Sequence, residues 1–272
     1  MVDKNAGFSP RQASAVGPEQ AAAEADCTRT LGFRFCNGSI ASILARIVTM
    51  AKTPYAYVVT PNVDFVVRAQ RDAAARDLYD RAAVQICDSR VLRLAMVPLG
   101  LKLSCLPGSD MVRLLLDQAP ADLRFLVVGP TEERMGQLRA LYPQRQLALL
   151  PTPQTFSRGD GEWHACLAAA GQADWDIALI CLGSPKQEAF AADLAAVRAA
   201  PGVALCVGAS IDFLTGAQAR APLWMQRLAL EWLFRLASNP RRLWRRYLID
   251  NPKFFAIVAR EYVRHRSGSA PG

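Results

Sequence analysis

Seven short apolar runs punctuate this chain: "TLGFRFC", "YAYVVT", "AVQIC", "RFLVVG", "QLALL", "DIALICLG" and "VALCVGAS". Several are apolar at nearly every position, which is the pattern of a strand covered on both faces. Between most of them lie Ala/Leu/Arg-rich stretches of helix length, such as "VDFVVRAQRDAAARDLYDRA" and "PKQEAFAADLAAVRAA". Strands alternating with helices leave few ways to bury their apolar faces. The expectation is an α/β fold: a mainly parallel, Rossmann-like sheet with helices on both faces and right-handed crossovers. No internal repeat of fixed period is present. With 272 residues, 51% of them hydrophobic, the chain suits one large domain, or one domain with an appendage.

Charge supports the appendage. Residues 1–219 carry 21 basic and 21 acidic groups, whereas residues 220–272 carry 11 basic and 3 acidic. The whole excess of +8 therefore sits at one end of the sequence. Three parts follow: a disordered N-terminal tail over 1–25, an α/β body over 26–219, and a cationic amphipathic helical appendage over 220–266. The first 25 residues are polar and Ala/Gln/Glu-rich, with no apolar core of a signal peptide. No uninterrupted run of about 20 apolar residues spans a membrane.

Several function classes lose support. Only two histidines exist, His164 and His265, which argues against a histidine zinc site or a Ser-His-Asp triad. The seven cysteines show no CxxC pair and no metal spacing. Cys36, Cys87, Cys181 and Cys206 lie in or beside strand-like runs and read as buried thiols of a reducing compartment. Neither a Walker A motif nor a GxGxxG appears, so ATPase and dinucleotide readings are weak.

In open α/β sheets ligands bind outside the carboxyl ends of the strands. That rule selects five stretches: Thr60, Pro61 and Asn62; Asp88, Ser89 and Arg90; Gly129; "LGSPKQE", with Gly183, Pro185 and Gln187; and "GASIDFLTG", starting at Gly208. They are expected to converge on one crevice rim. Gly183 allows close backbone approach, and a helix opening near Pro185 would offer free N–H groups to a phosphate. An ordinary strand-to-helix turn explains the same residues. Asp88 directly follows a buried-type strand, where a carboxylate is costly unless paired or working in a cleft. It reads as a general base for a hydroxyl nucleophile or as a helix cap. Asp174-Trp-Asp176 matches a DxD metal pattern but precedes its strand, at the wrong end of the sheet. Asp64 and Asp72 sit on a predicted helix and read as solvated.

The appendage has its own pattern. At about 100° per residue, Arg241, Arg242, Arg245 and Arg246 fall on one face, opposite Leu243, Trp244, Tyr247 and Leu248. In "PLWMQRLALEWLFRLA" the residues Arg227, Glu231 and Arg235 form a narrow polar stripe, four apart. Such helices suit an anionic bilayer surface. Docking of the apolar face on the body, with the arginines in water, fits too. Nucleic acid could use the cations, but no nucleic-acid motif accompanies them.

Four segments together resemble the WecG/TagA/CpsF family of bacterial glycosyltransferases: "TPNVDFVVRAQRD", "LPGSDMVRLLL", "LGSPKQE" and "VGASIDFLTGAQARAPLWMQRLALEWLFRLASNPRRLWRRY". They occur in family order over roughly residues 28–250. The resemblance implies transfer of a sugar from a UDP-sugar donor to a polyprenyl-diphosphate-linked acceptor, with inversion and without a DxD-bound metal or other cofactor. The products would feed exopolysaccharide, capsule, teichoic acid or common antigen. It implies a peripheral position on the inner face of the cytoplasmic membrane, no nucleic-acid partner, and leaves a homo-oligomer possible. By the same resemblance Asp88 is the base, Thr60 and Asn62 are pocket residues, and Gln187 belongs to a Gly-x-Pro-x-Gln-Glu loop. Arg235, Arg242 and Arg245 match arginines of an appendage that folds over the site. Two residues depart from the family: Ser89 replaces a glycine, and Cys105 stands where an arginine is usual. These departures sustain an alternative, a non-catalytic nucleotide-sugar-binding or scaffold subunit.

Overall fold

The computed structural model describes residues 27–266; the tail expected over 1–25 lies outside them. Eight strands form one sheet: β1 (Cys27–Thr30), β2 (Phe33–Cys36), β3 (Ala56–Val59), β4 (Val84–Gln85), β5 (Arg124–Val128), β6 (Gln146–Leu150), β7 (Ile177–Ile180) and β8 (Val203–Cys206). Their order is β1-β2-β4-β3-β8-β7-β5-β6. All pairings are parallel except the β1–β2 hairpin. The run "TLGFRFC" is thus half of a hairpin, turned at Leu31 and Gly32, both with positive φ.

Period-2 alternation sorts the strand side chains into two cores. Val59, Leu126, Val128, Ala178, Ile180, Ala204 and Cys206 enter one, whereas Val58, Phe125, Val127, Ile177, Leu179, Val203 and Leu205 enter the other. The first is covered by α2 (Val63–Ala69), α3 (Ala73–Asp80), α4 (Arg90–Met96), α7 (Gly161–Gln172) and α8 (Lys186–Leu194). The second is covered by α1 (Ile40–Met50), α5 (Gly108–Gln118), α6 (Glu132–Leu141) and α9 (Ser210–Leu214). The expected layers are therefore present.

Local capping explains where helices begin. Ser39, Asn62, Asp72, Ser89, Thr131 and Asp160 each accept an N–H of the first turn through the side chain. Asp72 caps α3, so the segment read as one helix is two. Its role is local capping rather than display to solvent.

The appendage comprises α10 (Leu223–Arg227), α11 (Glu231–Ser238), α12 (Pro240–Arg245), a π-helical turn Arg246–Asp250, and α13 (Lys253–Arg266). Ala229 breaks the first stretch with φ 59°. Arg227 and Glu231 therefore lie on different helices, and the expected continuous polar stripe does not form. Phe254 of α13 is fully buried in the first core. Thr30 Oγ1 and the Leu31 N–H donate to Glu261 at 3.5 and 3.3 Å, fixing the far end of α13. No helix among the described residues is long and apolar enough to cross a membrane.

Candidate active site

The chain runs from β3 to β4 on one side of the sheet, then crosses to β5 on the other. This division leaves a crevice at the carboxyl ends of β3 and β8, the place where such sheets bind ligands. A cavity of about 750 Å³ occupies it, within the usual range for small-molecule sites. Four of the five expected stretches line it, contributing Thr60, Asn62, Asp88, Gly183, Gln187 and Gly208. The fifth does not. Gly129 follows β5, two strands out from β8, and packs where a Cβ would meet Leu182 and the Cys181 carbonyl at 3.0–3.3 Å. Its positive φ serves strand packing rather than a ligand. Pro185 also stays off the wall, opening α8 behind Ser184.

Asp88 sits where β4 ends, with its N–H bonded to the Pro61 carbonyl at 2.9 Å. The Gly108 N–H donates to its Oδ1 at 3.1 Å. Burial pushes its pKa up to about 6, against the opposing pull of Arg235, the Gly108 N–H and the Asn62 side chain; Glu231 adds to the rise. A carboxyl poised there suits proton acceptance near neutral pH. Ser89 beside it has φ −148°, an extended conformation open to any residue. No glycine is needed, and the serine side chain caps α4 through the Leu92 N–H at 3.1 Å.

The other expected residues are more structural. The Thr60 hydroxyl donates to the Cys206 carbonyl at 3.1 Å and ties β3 to β8. Asn62 caps α2 by accepting the Asp64 N–H at 3.0 Å. Gln187 is buried; its Oε1 accepts the Gly208 N–H at 2.8 Å and its Nε2 donates to Glu188 at 2.7 Å. It shapes the turn after β8, where Gly208 has φ 55°.

Arginines crowd the same cavity. Arg90, Arg220, Arg235, Arg242 and Arg246 all line the cavity. Arg90 pairs with Glu231, and Arg220 grips Asp110 with two bonds of 2.6 and 2.8 Å. Arg246 lies 3.6 Å from Asp64. Among the described residues neither Arg235 nor Arg242 has an ion pair; Arg235 instead stands 5.0 Å over the Phe213 ring. Arg245 is exposed and off the cavity wall, contrary to expectation, and Arg246 takes the inward place. The reason is helical phase. Asn239, Arg242, Leu243, Arg246 and Tyr247 share the inward face at spacings of three and four. The cationic and apolar faces are thus mixed, not opposed.

Asp64 corrects a second expectation. It is buried, and Arg68 donates to it at 2.5 Å while bonding Ser184 at 2.6 Å. Sequence spacing held the signal, since Asp64 and Arg68 are an i, i+4 pair. Cys181 also departs from expectation, lying partly open on the cavity wall. The DxD residues sit before β7, at the amino end of the sheet. Arg124 grips both, and Lys52 bonds Asp176 at 3.0 Å. Against the effect of burial, these bonds hold the Asp176 carboxyl well below the usual range.

Residues 28–268 match the profile described as Glycosyl transferase WecG/TagA/CpsF family. The chain belongs to that family. A Bacillus subtilis (strain 168) protein, N-acetylglucosaminyldiphosphoundecaprenol N-acetyl-beta-D-mannosaminyltransferase, is 38% identical over 90 residues. That match spans 33% of this chain and 34% of the relative's length.

Proposed function

We propose that this chain is an inverting glycosyltransferase that moves a sugar from a UDP-sugar to a polyprenyl-diphosphate-linked acceptor. The observation that carries the reading is Asp88, pushed up to about 6 and lining one cavity with Arg235 and Arg242, which have no ion pair among the described residues. Asp88 takes the proton of the acceptor hydroxyl. The hydroxyl oxygen forms its bond to the anomeric carbon as the bond from that carbon to the UDP oxygen breaks. Attack from the face opposite the leaving group inverts the centre. Arg235 and Arg242 offset the charge that develops on the diphosphate, the task a metal performs in DxD enzymes. The name of the Bacillus subtilis relative supports N-acetylmannosamine as the first donor sugar to try, on N-acetylglucosaminyl-diphosphate-polyprenol.

The proposal places this work at a membrane surface, on its inner face; exposed apolar side chains support the surface. Of 15 exposed large hydrophobics among the described residues, 10 follow residue 222. The test is UDP release from a panel of UDP-sugars with a synthetic polyprenyl-diphosphate acceptor, with and without EDTA. Turnover that survives EDTA is expected. UDP binding without turnover for any donor would favour the non-catalytic subunit, and strict manganese dependence would end the metal-independent mechanism.

A further inference from the structure

Cys87 and Cys105 play no part in the chemistry above, yet they adjoin it. Cys87 immediately precedes Asp88, and Cys105 lies three residues before Gly108, which holds the Asp88 carboxylate. The two cysteines face each other as a parallel bridge, and the Leu106 N–H donates to the Cys87 carbonyl at 2.9 Å. Neighbouring strands run roughly 4.8 Å apart, inside the roughly 4.4–6.8 Å between Cα atoms that a disulfide accepts. The thiols differ in access. Cys87 is fully buried, whereas Cys105 lines a separate cavity of about 480 Å³ with Arg90, Arg93 and Ser104. Contact with Cys87 draws the Cys105 thiol below its ordinary value; burial and the Asp88 carboxylate oppose this, and Arg90 and Arg93 assist it. A thiol of that kind is the reactive partner of a pair.

We propose that Cys87 and Cys105 are a peroxide-sensitive thiol pair whose disulfide disables the neighbouring cavity. The Cys105 thiolate attacks a hydroperoxide oxygen, forming a sulfenic acid and releasing hydroxide, which takes up a proton. The Cys87 sulfur then attacks the sulfenic sulfur; the S–O bond breaks, water leaves and the disulfide forms. Two thiols lose two electrons and two protons, and one hydrogen peroxide becomes two waters. A dithiol reductant reverses the step by exchange. Bonding the sulfurs draws Cys87 from its contact with the Ser89 carbonyl, at 3.4 Å. It also strains the two segments that align Asp88 with Gly108. The effect on turnover rests on the proposed role of Asp88; the disulfide itself does not.

A second strand-neighbour pair, Cys27 and Cys36, lies in the β1–β2 hairpin away from the cavity wall. The experiment therefore uses the full chain carrying Cys27→Ser. Protein is treated with hydrogen peroxide, blocked with N-ethylmaleimide in denaturant, and digested with trypsin. Cys87 and Cys105 fall in separate tryptic peptides, 82–90 and 103–113. A cross-linked pair of these peptides should accumulate and vanish with dithiothreitol. UDP release should fall at least fivefold and recover on reduction. In Cys105→Ala the cross-link should be absent, and peroxide should leave that variant's own rate unchanged. Both thiols still alkylated after peroxide, or a cross-link formed only in denatured protein, would overturn the pair. A cross-link that leaves the rate intact would overturn its inhibitory role. Should reduced protein release no UDP from any donor, the proposed function fails while the cross-link result still decides the chemistry.

Discussion

Asp88 is the residue on which the reading turns, and its titration makes the first prediction. As a base it must be ionised, so turnover should rise with pH through about 6 and be lost below it. Arg235 lowers this pKa and Glu231 raises it. Arg235→Ala should therefore shift the acid limb of the pH–rate profile upward, and Glu231→Gln should shift it downward. Stability runs the other way. A carboxyl whose pKa is raised on folding prefers its proton in the folded state, so its contribution is full below about pH 4. That contribution is lost as pH climbs past about 6. Asp88→Asn should thus abolish most turnover yet unfold at equal or higher urea concentration than the wild type at pH 8. A gain of roughly 1–3 kcal/mol is the scale, at about 1.4 kcal/mol per pH unit. A large loss of stability in Asp88→Asn would instead make the residue a structural anchor. Gln187 gives the second prediction. Gln187→Ala strands the Gly208 N–H and should cost about 1–3 kcal/mol in urea unfolding, with turnover falling alongside. Asp88, Asn62 and Gln187 were legible because strand ends mark the rim. Gly129 obeyed the same rule and misled, because a position after a strand does not reveal which strands flank the switch point. Asp64 misled because a single helical position does not disclose its burial against Arg68 and Arg246.

At the scale of elements, the parallel sheet was readable from its apolar runs, whereas the helices of the appendage were not. Asn239-Pro240 and Asn251-Pro252 mark two of their breaks, but the first comes from a backbone state that no residue announces. Ala229 takes φ 59° between α10 and α11 with neither glycine nor asparagine to mark it. A left-handed alanine costs roughly 1–2 kcal/mol, so Ala229→Gly should leave thermal stability unchanged or slightly raised. A clear fall in melting temperature would show that the Ala229 methyl, which is buried, contributes more through packing. The π-helical turn at Arg246–Asp250 is likewise invisible to a wheel drawn at constant angle. Once phase is corrected, the arginines divide by task. Arg235→Ala and Arg242→Ala should each lower turnover about tenfold or more while leaving vesicle binding nearly intact. Arg245→Ala should do the reverse. Equal kinetic defects in all three would remove the distinction between the cavity wall and the outer surface.

For the whole molecule, the docking reading of the charged end holds for one part of it, and another part lies exposed. Docking is real: Phe254 is buried in the core, and ion pairs tie Arg71 to Asp250 at 2.8 Å and Arg246 to Asp64 at 3.6 Å. Exposure is equally real, since Leu223, Trp224, Leu228 and Phe255 are each 59–69% exposed. Arg227 is exposed beside Leu228 in sequence, and Arg241 and Arg245 are exposed close to Trp244, itself exposed. A surface that carries apolar anchors and cations together should bind anionic bilayers, each cation contributing about 1 kcal/mol. Arg241→Ala with Arg245→Ala should then weaken binding to phosphatidylserine vesicles by roughly thirtyfold, since 1.4 kcal/mol is about tenfold. Raised salt should mimic that loss, because exposed charges are screened within about 10 Å at 0.1 M. Trp224→Ala should weaken binding at any salt concentration, because its contribution is apolar. The two variants can be told apart by one sedimentation series across salt. Binding that ignores both salt and the paired arginine change would leave the cations as solvated groups, with docking through Phe254 as the appendage's remaining task.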